Sequence, residues 1–160
     1  MNPSGRPTAD DPPQAKAGSA APANAVLLDT HALIWLVAGD ERLRPAVRRR
    51  IEAAAQARQL WVSAITPWEI GMLVAKGRLA LDRDVMDWLH AALALPGVRL
   101  APLELALAVA STRLPGEPHG DPADRLIVAT ARHLGATLVT ADHALLAYGR
   151  LGHVGVLSAG

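Results

Sequence analysis

The sequence predicts an α/β domain, a parallel sheet of four to five strands flanked by helices. From Ala25 onward, short apolar runs alternate with longer amphipathic stretches, the pattern that strand and helix repeats write into a chain. Phenylalanine is absent, so Leu, Val, Ile and the four tryptophans Trp35, Trp61, Trp68 and Trp88 must fill the core. Such a core favours helices packed on strands. At 160 residues the chain is long enough for one domain with a sizeable core and too short for two. Residues 1–24 are rich in Pro, Ala, Gly and Ser, carry balanced charge and have no apolar period. They read as a disordered extension, leaving residues 25–160 as the domain.

The elements follow in order. Val26 to Leu28 is a short buried strand, and Asp29-Thr30 offers an N-cap for a helix through about Val37. A second helix runs from Pro45 through Ala57. Leu60 to Ile65 is apolar and β-branched enough for a strand. Thr66-Pro67-Trp68-Glu69 then opens a helix with Pro at its first position, ending near Lys76-Gly77. Asp84 to Leu95 has the helical period and is closed by Pro96-Gly97. Val98 to Leu100 is the third strand, and Glu104 to Arg113 is helical again. Asp121-Pro122 starts a helix that runs to His133 and stops at Gly135; Thr137 to Val139 is the fourth strand, leading into Asp142. A short helix from His143 to Tyr148 and a weak strand around Val154 to Leu157 complete the domain.

Composition narrows the chemistry. With no cysteine there are neither disulfides nor thiolate metal sites. The N-terminus lacks the order of a secretory signal, and no apolar run reaches the ~18 residues of a membrane span, so a cytoplasmic protein is expected. The formal net charge of +1 neither demands nor forbids a nucleic-acid partner. The one dense basic stretch, Arg42, Arg44, Arg48, Arg49 and Arg50, reads as a solvated helix face before it reads as an RNA or partner contact.

Four acids, Asp29, Glu69, Asp124 and Asp142, each fall just after a strand-like run or in the first turn of a helix. In a parallel α/β sheet those connections all emerge at the carboxyl ends of the strands, where ligands collect. Each acid also has a plain structural reading. Asp29 and Asp142 suit helix N-caps, Glu69 completes a Thr66-x-x-Glu69 capping box, and Asp124 sits beside the ready N-cap Asp121, where a helix dipole favours an anion. Taken singly, structure wins or ties; the coincidence at one sheet edge shifts the balance. Two unit charges ~4 Å apart repel by roughly 4 kcal/mol at an effective dielectric of 20, so a carboxylate cluster strains the fold unless a cation sits among its members.

Carboxylates without thiols or paired histidines ask for a hard cation such as magnesium or manganese. The six histidines show no metal-ligand spacing. His119 and His143 stand near the acids, although surface positions are the more frequent outcome for such residues. Divalent ions in a carboxylate ring suit phosphodiester hydrolysis, because they activate water and neutralise charge on the phosphate. The chain has no Gly-x-Ser-x-Gly elbow, glycine-rich phosphate loop or dinucleotide fingerprint.

The stretch Leu28-Asp29-Thr30-His31-Ala32-Leu33-Ile34-Trp35 resembles the opening motif of PIN-domain ribonucleases of the VapC toxin type. Ser63-x-x-x-Pro67-Trp68-Glu69-Ile70, Gly120-Asp121-Pro122-Ala123-Asp124-Arg125-Leu126-Ile127 and Leu138-Val139-Thr140-Ala141-Asp142 resemble the later motifs, in the right order. The likeness spans Ala25 to Leu157 and implies a PIN-like three-layer fold. It also implies a magnesium- or manganese-dependent endoribonuclease leaving 5′-phosphate and 3′-hydroxyl ends, the dimeric toxin of a type II toxin-antitoxin pair silenced by a small antitoxin. Asp29, Glu69, Asp124 and Asp142 match the acidic quartet that binds metal and performs catalysis. Asp121 is an additional acid, a cap or a ligand through water, and Thr30 and Thr140 match positions that orient the site.

Two rivals remain. A receiver-like signalling domain also gathers acids around magnesium, but it needs an acceptor Asp after the third strand and a Lys after the last; here the third strand runs into Pro102-Leu103, and the lysines are Lys16 and Lys76 alone. A PIN-like binding module without activity is the other, and the intact quartet argues against it.

Overall fold

A computed structural model describes residues 24–160. The expected extension over residues 1–24 lies, apart from Asn24, outside the described residues. The strands β1 (Val26–Leu28), β2 (Leu60–Ser63), β3 (Val98–Ala101), β4 (Thr137–Thr140) and β5 (Val156–Ser158) form one sheet in the order β3-β2-β1-β4-β5. Every neighbouring pair is parallel. The helices are α1 (Thr30–Ala38), α2 (Pro45–Gln56), α3 (Ile65–Ala75), α4 (Val85–Leu93), α5 (Leu105–Ala110), α6 (Pro122–Leu134) and α7 (His143–Arg150).

Side chains alternate across a strand, so a fully apolar strand must be covered on both faces. Val26 and Leu28 point into one core with Leu33 of α1, Val47 and Ile51 of α2, Ile70 of α3 and Trp88 of α4. Leu27, between them, points into a second core with Leu138, Ile127 and Val128 of α6, and Leu145 of α7. The result is the three-layer arrangement the resemblance implies. Among the described residues, no helix is long and apolar enough to cross a membrane.

Strand order runs outward from β1 through β2 to β3 on one side and through β4 to β5 on the other. The reversal therefore falls between β1 and β4, where Leu28 pairs with Val139. That is the crevice where open α/β sheets bind ligands, and Asp29 and Thr140 stand at its mouth.

Most boundaries match the expectations, but the β2–α3 junction does not. The helix begins at Ile65, inside the expected strand, with Ala64 in the N-cap position and no side-chain cap. Pro67 is thus the third helical residue rather than the first, still among the amides with no intrahelical partner. The capping box does not form: its Thr66 is buried inside the first turn, and Glu69 is engaged elsewhere. Helix α6 ends as expected, at Gly135 with φ 58°, a left-handed residue that glycine adopts without a Cβ penalty.

The basic stretch is largely spent inside the domain. Arg42 pairs with Asp40 at 2.6 Å and lies 4.7 Å over the Trp35 ring. Arg44 donates to the Gly160 carbonyl, Arg48 to those of Leu43 and Asp40, and Arg50 to that of Asn24.

Candidate active site

Asp29 leaves β1 as the N-cap of α1, so its side chain is fixed by the strand before it and the helix after it. It is only 7% exposed. Its Oδ1 accepts the Thr30 amide at 2.8 Å and its Oδ2 accepts the Thr140 hydroxyl at 2.6 Å. Burial pushes the carboxyl above the usual aspartate range; the Thr140 and Thr30 hydrogen bonds act against that, and the charge of Asp142 adds to it.

Glu69 comes from the second turn of α3. Its Oε1 accepts the Thr30 hydroxyl at 2.7 Å, which leaves Thr66 as the donor in the 3.3 Å contact between the two threonine hydroxyls. A Thr66–Thr30–Glu69 chain thus aims the carboxylate at the sheet edge instead of back at its own helix. Burial, followed by the charges of Asp29, Asp124 and Asp121, raises its pKa to about 7 against the pull of the Thr30 hydrogen bond.

Asp121 caps α6 by accepting the Asp124 amide on Oδ1 at 3.0 Å, and this turns Asp124 toward the crevice. Burial, then the charges of Asp29, Asp121 and Asp142, pushes Asp124 up to about 6, while His119 draws it down. Asp142 caps α7 through the Leu145 amide at 2.9 Å, and its own amide donates to Thr140 Oγ1 at 3.0 Å.

The structure therefore brings the four predicted acids together: Asp29, Glu69, Asp124 and Asp142 line one cavity of about 250 Å³ with Thr30, His31, Trp35 and Ala141. Asp121 is exposed and does not line it. A larger hollow of about 730 Å³ between α5 and α6 has no carboxylate in its wall. Among the described residues, no group of three or more acidic or histidine side chains closes around a single metal position. The acids line the cavity without converging on one point.

Two histidines belong to this neighbourhood. His31 lines the cavity, and His119 places Nδ1 2.9 Å from Asp124 Oδ2. Proximity in sequence marked His119 as a neighbour of the acids, but only the path of the loop before α6 shows that its ring turns toward Asp124.

The sequence pattern of the PIN domain matches residues 26–151, which takes in β1 to β4 and all four acids. The chain belongs to the PIN domain family. It is 38% identical over 120 residues to Ribonuclease VapC22 of Mycobacterium tuberculosis, covering 75% of this chain and 88% of that protein. Among solved structures it resembles FitAcB from Neisseria gonorrhoeae with a TM-score of 0.51 at 27% identity, over 82% of this chain and 96% of that one. VapBC2 from Rickettsia felis, solved bound to a DNA fragment from its promoter, gives a TM-score of 0.63 over 85% of this chain and 99% of that one; at 17% identity the likeness speaks of the fold. Within this PIN domain all four acids fall inside the matched span.

Proposed function

We propose that this PIN domain is a magnesium- or manganese-dependent endoribonuclease, with Asp29, Glu69, Asp124 and Asp142 as its metal-binding and catalytic residues. The observation that carries the reading is the convergence of four acids from separate segments on one small cavity, with Glu69 raised to about 7 and Asp124 to about 6. Burying and crowding carboxylates with no cation among them opposes folding. A divalent cation relieves that opposition, and an all-oxygen donor set suits a hard ion. When bound, such an ion supplies an activated water and neutralises charge on the scissile phosphate.

The chain's own residues supply the positioning. Asp29, held on both oxygens, is the fixed donor of the ring, and Glu69 and Asp124 complete it from α3 and α6. Asp142 stands on the other side of the β1–β4 crevice. The Thr30 and Thr140 hydroxyls fix the two carboxylates they touch. The hydroxyl in the cavity wall, that of Thr30, is committed to Glu69, and metal-activated water needs no protein nucleophile.

The relationship to Ribonuclease VapC22 supports RNA as substrate and the role of a toxin. The expected partners are a small antitoxin that covers the groove and a second copy of this chain, and the expected compartment is the cytoplasm, where RNA is available. The test is incubation of the purified protein with total RNA and manganese, beside a chelator control and Asp124→Asn. Discrete cleavage by the wild type, lost in both controls, supports the reading. Equal cleavage by Asp124→Asn overturns it. Metal binding without cleavage of any RNA points instead to a binding module.

A further inference from the structure

We propose that His119 is a positioning residue for Asp124, delivered to it by a loop pinned at Pro115 and at His119 itself; the proposal deepens the metal-site reading above and rests on it. His119 Nδ1 lies 2.9 Å from Asp124 Oδ2 and 3.4 Å from the Asp121 amide nitrogen. The nitrogen cannot donate to the carboxylate and accept from the amide at once. The shorter contact, to a carboxylate, decides the matter: Nδ1 carries the proton and donates to Asp124. The Asp121 amide also aims its N–H at this nitrogen, but at 3.4 Å that contact is the longer and weaker of the two and is given up when Nδ1 carries the proton; the Asp121 carboxylate retains its separate role as helix cap.

The loop between α5 and α6 makes this contact reproducible. Partway along it, the Tyr148 hydroxyl donates to the Pro115 carbonyl at 2.6 Å. Gly116 follows at φ 67°, and a Cβ there would come 2.7 Å from His153 Nε2, so the loop lies tight against α7 and the segment after it. At its far end, Arg125 Nε donates to the His119 carbonyl at 2.9 Å. Arg125 projects from α6 one residue after Asp124 and so holds the backbone of the residue that holds Asp124.

With Oδ2 held by His119, the Asp124 carboxylate cannot rotate freely, and it keeps unshared lone pairs to offer the cavity it lines. Outer hydrogen bonds of this kind orient metal-binding carboxylates, and their loss typically lowers metal affinity or activity about 10–100-fold. His119 is 42% exposed through its side chain, so it is not a packing element whose removal would collapse the core.

The experiment is a calorimetric manganese titration of wild type, His119→Ala, His119→Asn, His119→Gln and Asp124→Asn at one pH, with melting curves and RNA cleavage on the same samples. Asparagine places an amide N–H where Nδ1 stands, and glutamine places it near Nε2. The expected result is affinity weakened about 10–100-fold in His119→Ala and in His119→Gln, restored to within a few-fold of wild type in His119→Asn, with the metal-free melting temperatures of the three His119 variants close to that of wild type. Wild-type affinity in His119→Ala, or no rescue by asparagine, overturns the proposal. If Asp124→Asn also binds and cleaves as wild type does, the site reading falls and this proposal with it. If the affinity series holds while no variant cuts RNA, the positioning role stands and the ribonuclease reading alone fails.

Discussion

Thr140 donates its hydroxyl to Asp29 at 2.6 Å across the seam between β4 and β1, and the same oxygen accepts the Asp142 amide at 3.0 Å. One buried threonine thus ties together the two acids on either side of the strand-order reversal. Thr140→Val keeps the shape and β-branching but leaves an Asp29 oxygen and the Asp142 amide without these partners. An unsatisfied buried polar group costs about 1–3 kcal/mol, so urea denaturation should show a loss of that order. Thr140→Ser should recover most of it, and a valine variant as stable as wild type would show that water replaces the hydroxyl.

The carboxyl shifts set a pH dependence with a definite sign. Glu69 rises from 4.5 to about 7 and Asp124 from 3.8 to about 6, so the folded protein holds these protons more tightly than the unfolded chain does. The stability they contribute is complete below about pH 4 and is lost as pH climbs through the folded values. The metal-free protein should therefore lose stability between about pH 4 and 7. Manganese should raise the melting temperature strongly at pH 7.5 and little at pH 5, where protons occupy the sites. Melting curves with and without a chelator across that range test both halves, and a metal-free protein that gains stability over the window would contradict the assignment.

Glu69→Gln separates two accounts of this residue. Gln still accepts the Thr30 hydroxyl but carries no charge, so at pH 8 it should make the metal-free protein more stable, and at pH 5, where Glu69 is itself protonated, it should change little. Manganese affinity should fall. A helix-capping role predicts the opposite, near neutrality at every pH, because Gln also serves in a capping box.

The fold was legible because each strand advertises itself locally: Val26 to Leu28 has no polar residue to place on a solvent face, and Pro122 and Gly135 bracket α6. Asp29, Glu69 and Asp142 were legible because strand-to-helix junctions all lie at one sheet edge, so position along the chain predicts position in space; Asp124 opens a helix that follows another helix, and its place was legible only from its motif. Glu69 shows where that logic stops. The Thr66-x-x-Glu69 spacing signals a capping box, yet helix α3 starts at Ile65 and Thr30, thirty-nine residues away in sequence, takes the carboxylate. Local sequence carries no information about that competitor. His119 was obscured for a related reason: a loop without periodicity does not reveal side-chain direction, which here is set by Arg125 and Tyr148 from other elements.

Asp121 contrasts with the acids that line the cavity, because it lies three residues from Asp124 and yet is not part of the wall. Its Oδ1 accepts the Asp124 amide at 3.0 Å, the bond of an N-cap. Asp121→Ala should cost roughly 0.5–2 kcal/mol, the usual loss for such a cap, and Asp121→Asn should cost far less because its side-chain oxygen still accepts. Neither change removes a cavity carboxylate, so manganese affinity should stay within a few-fold of wild type, whereas Asp124→Asn should nearly abolish it. Urea denaturation paired with calorimetric titration reads the two properties separately. A loss of metal affinity in Asp121→Asn, with stability intact, would move Asp121 from cap to ligand through water and enlarge the acidic ring by one member.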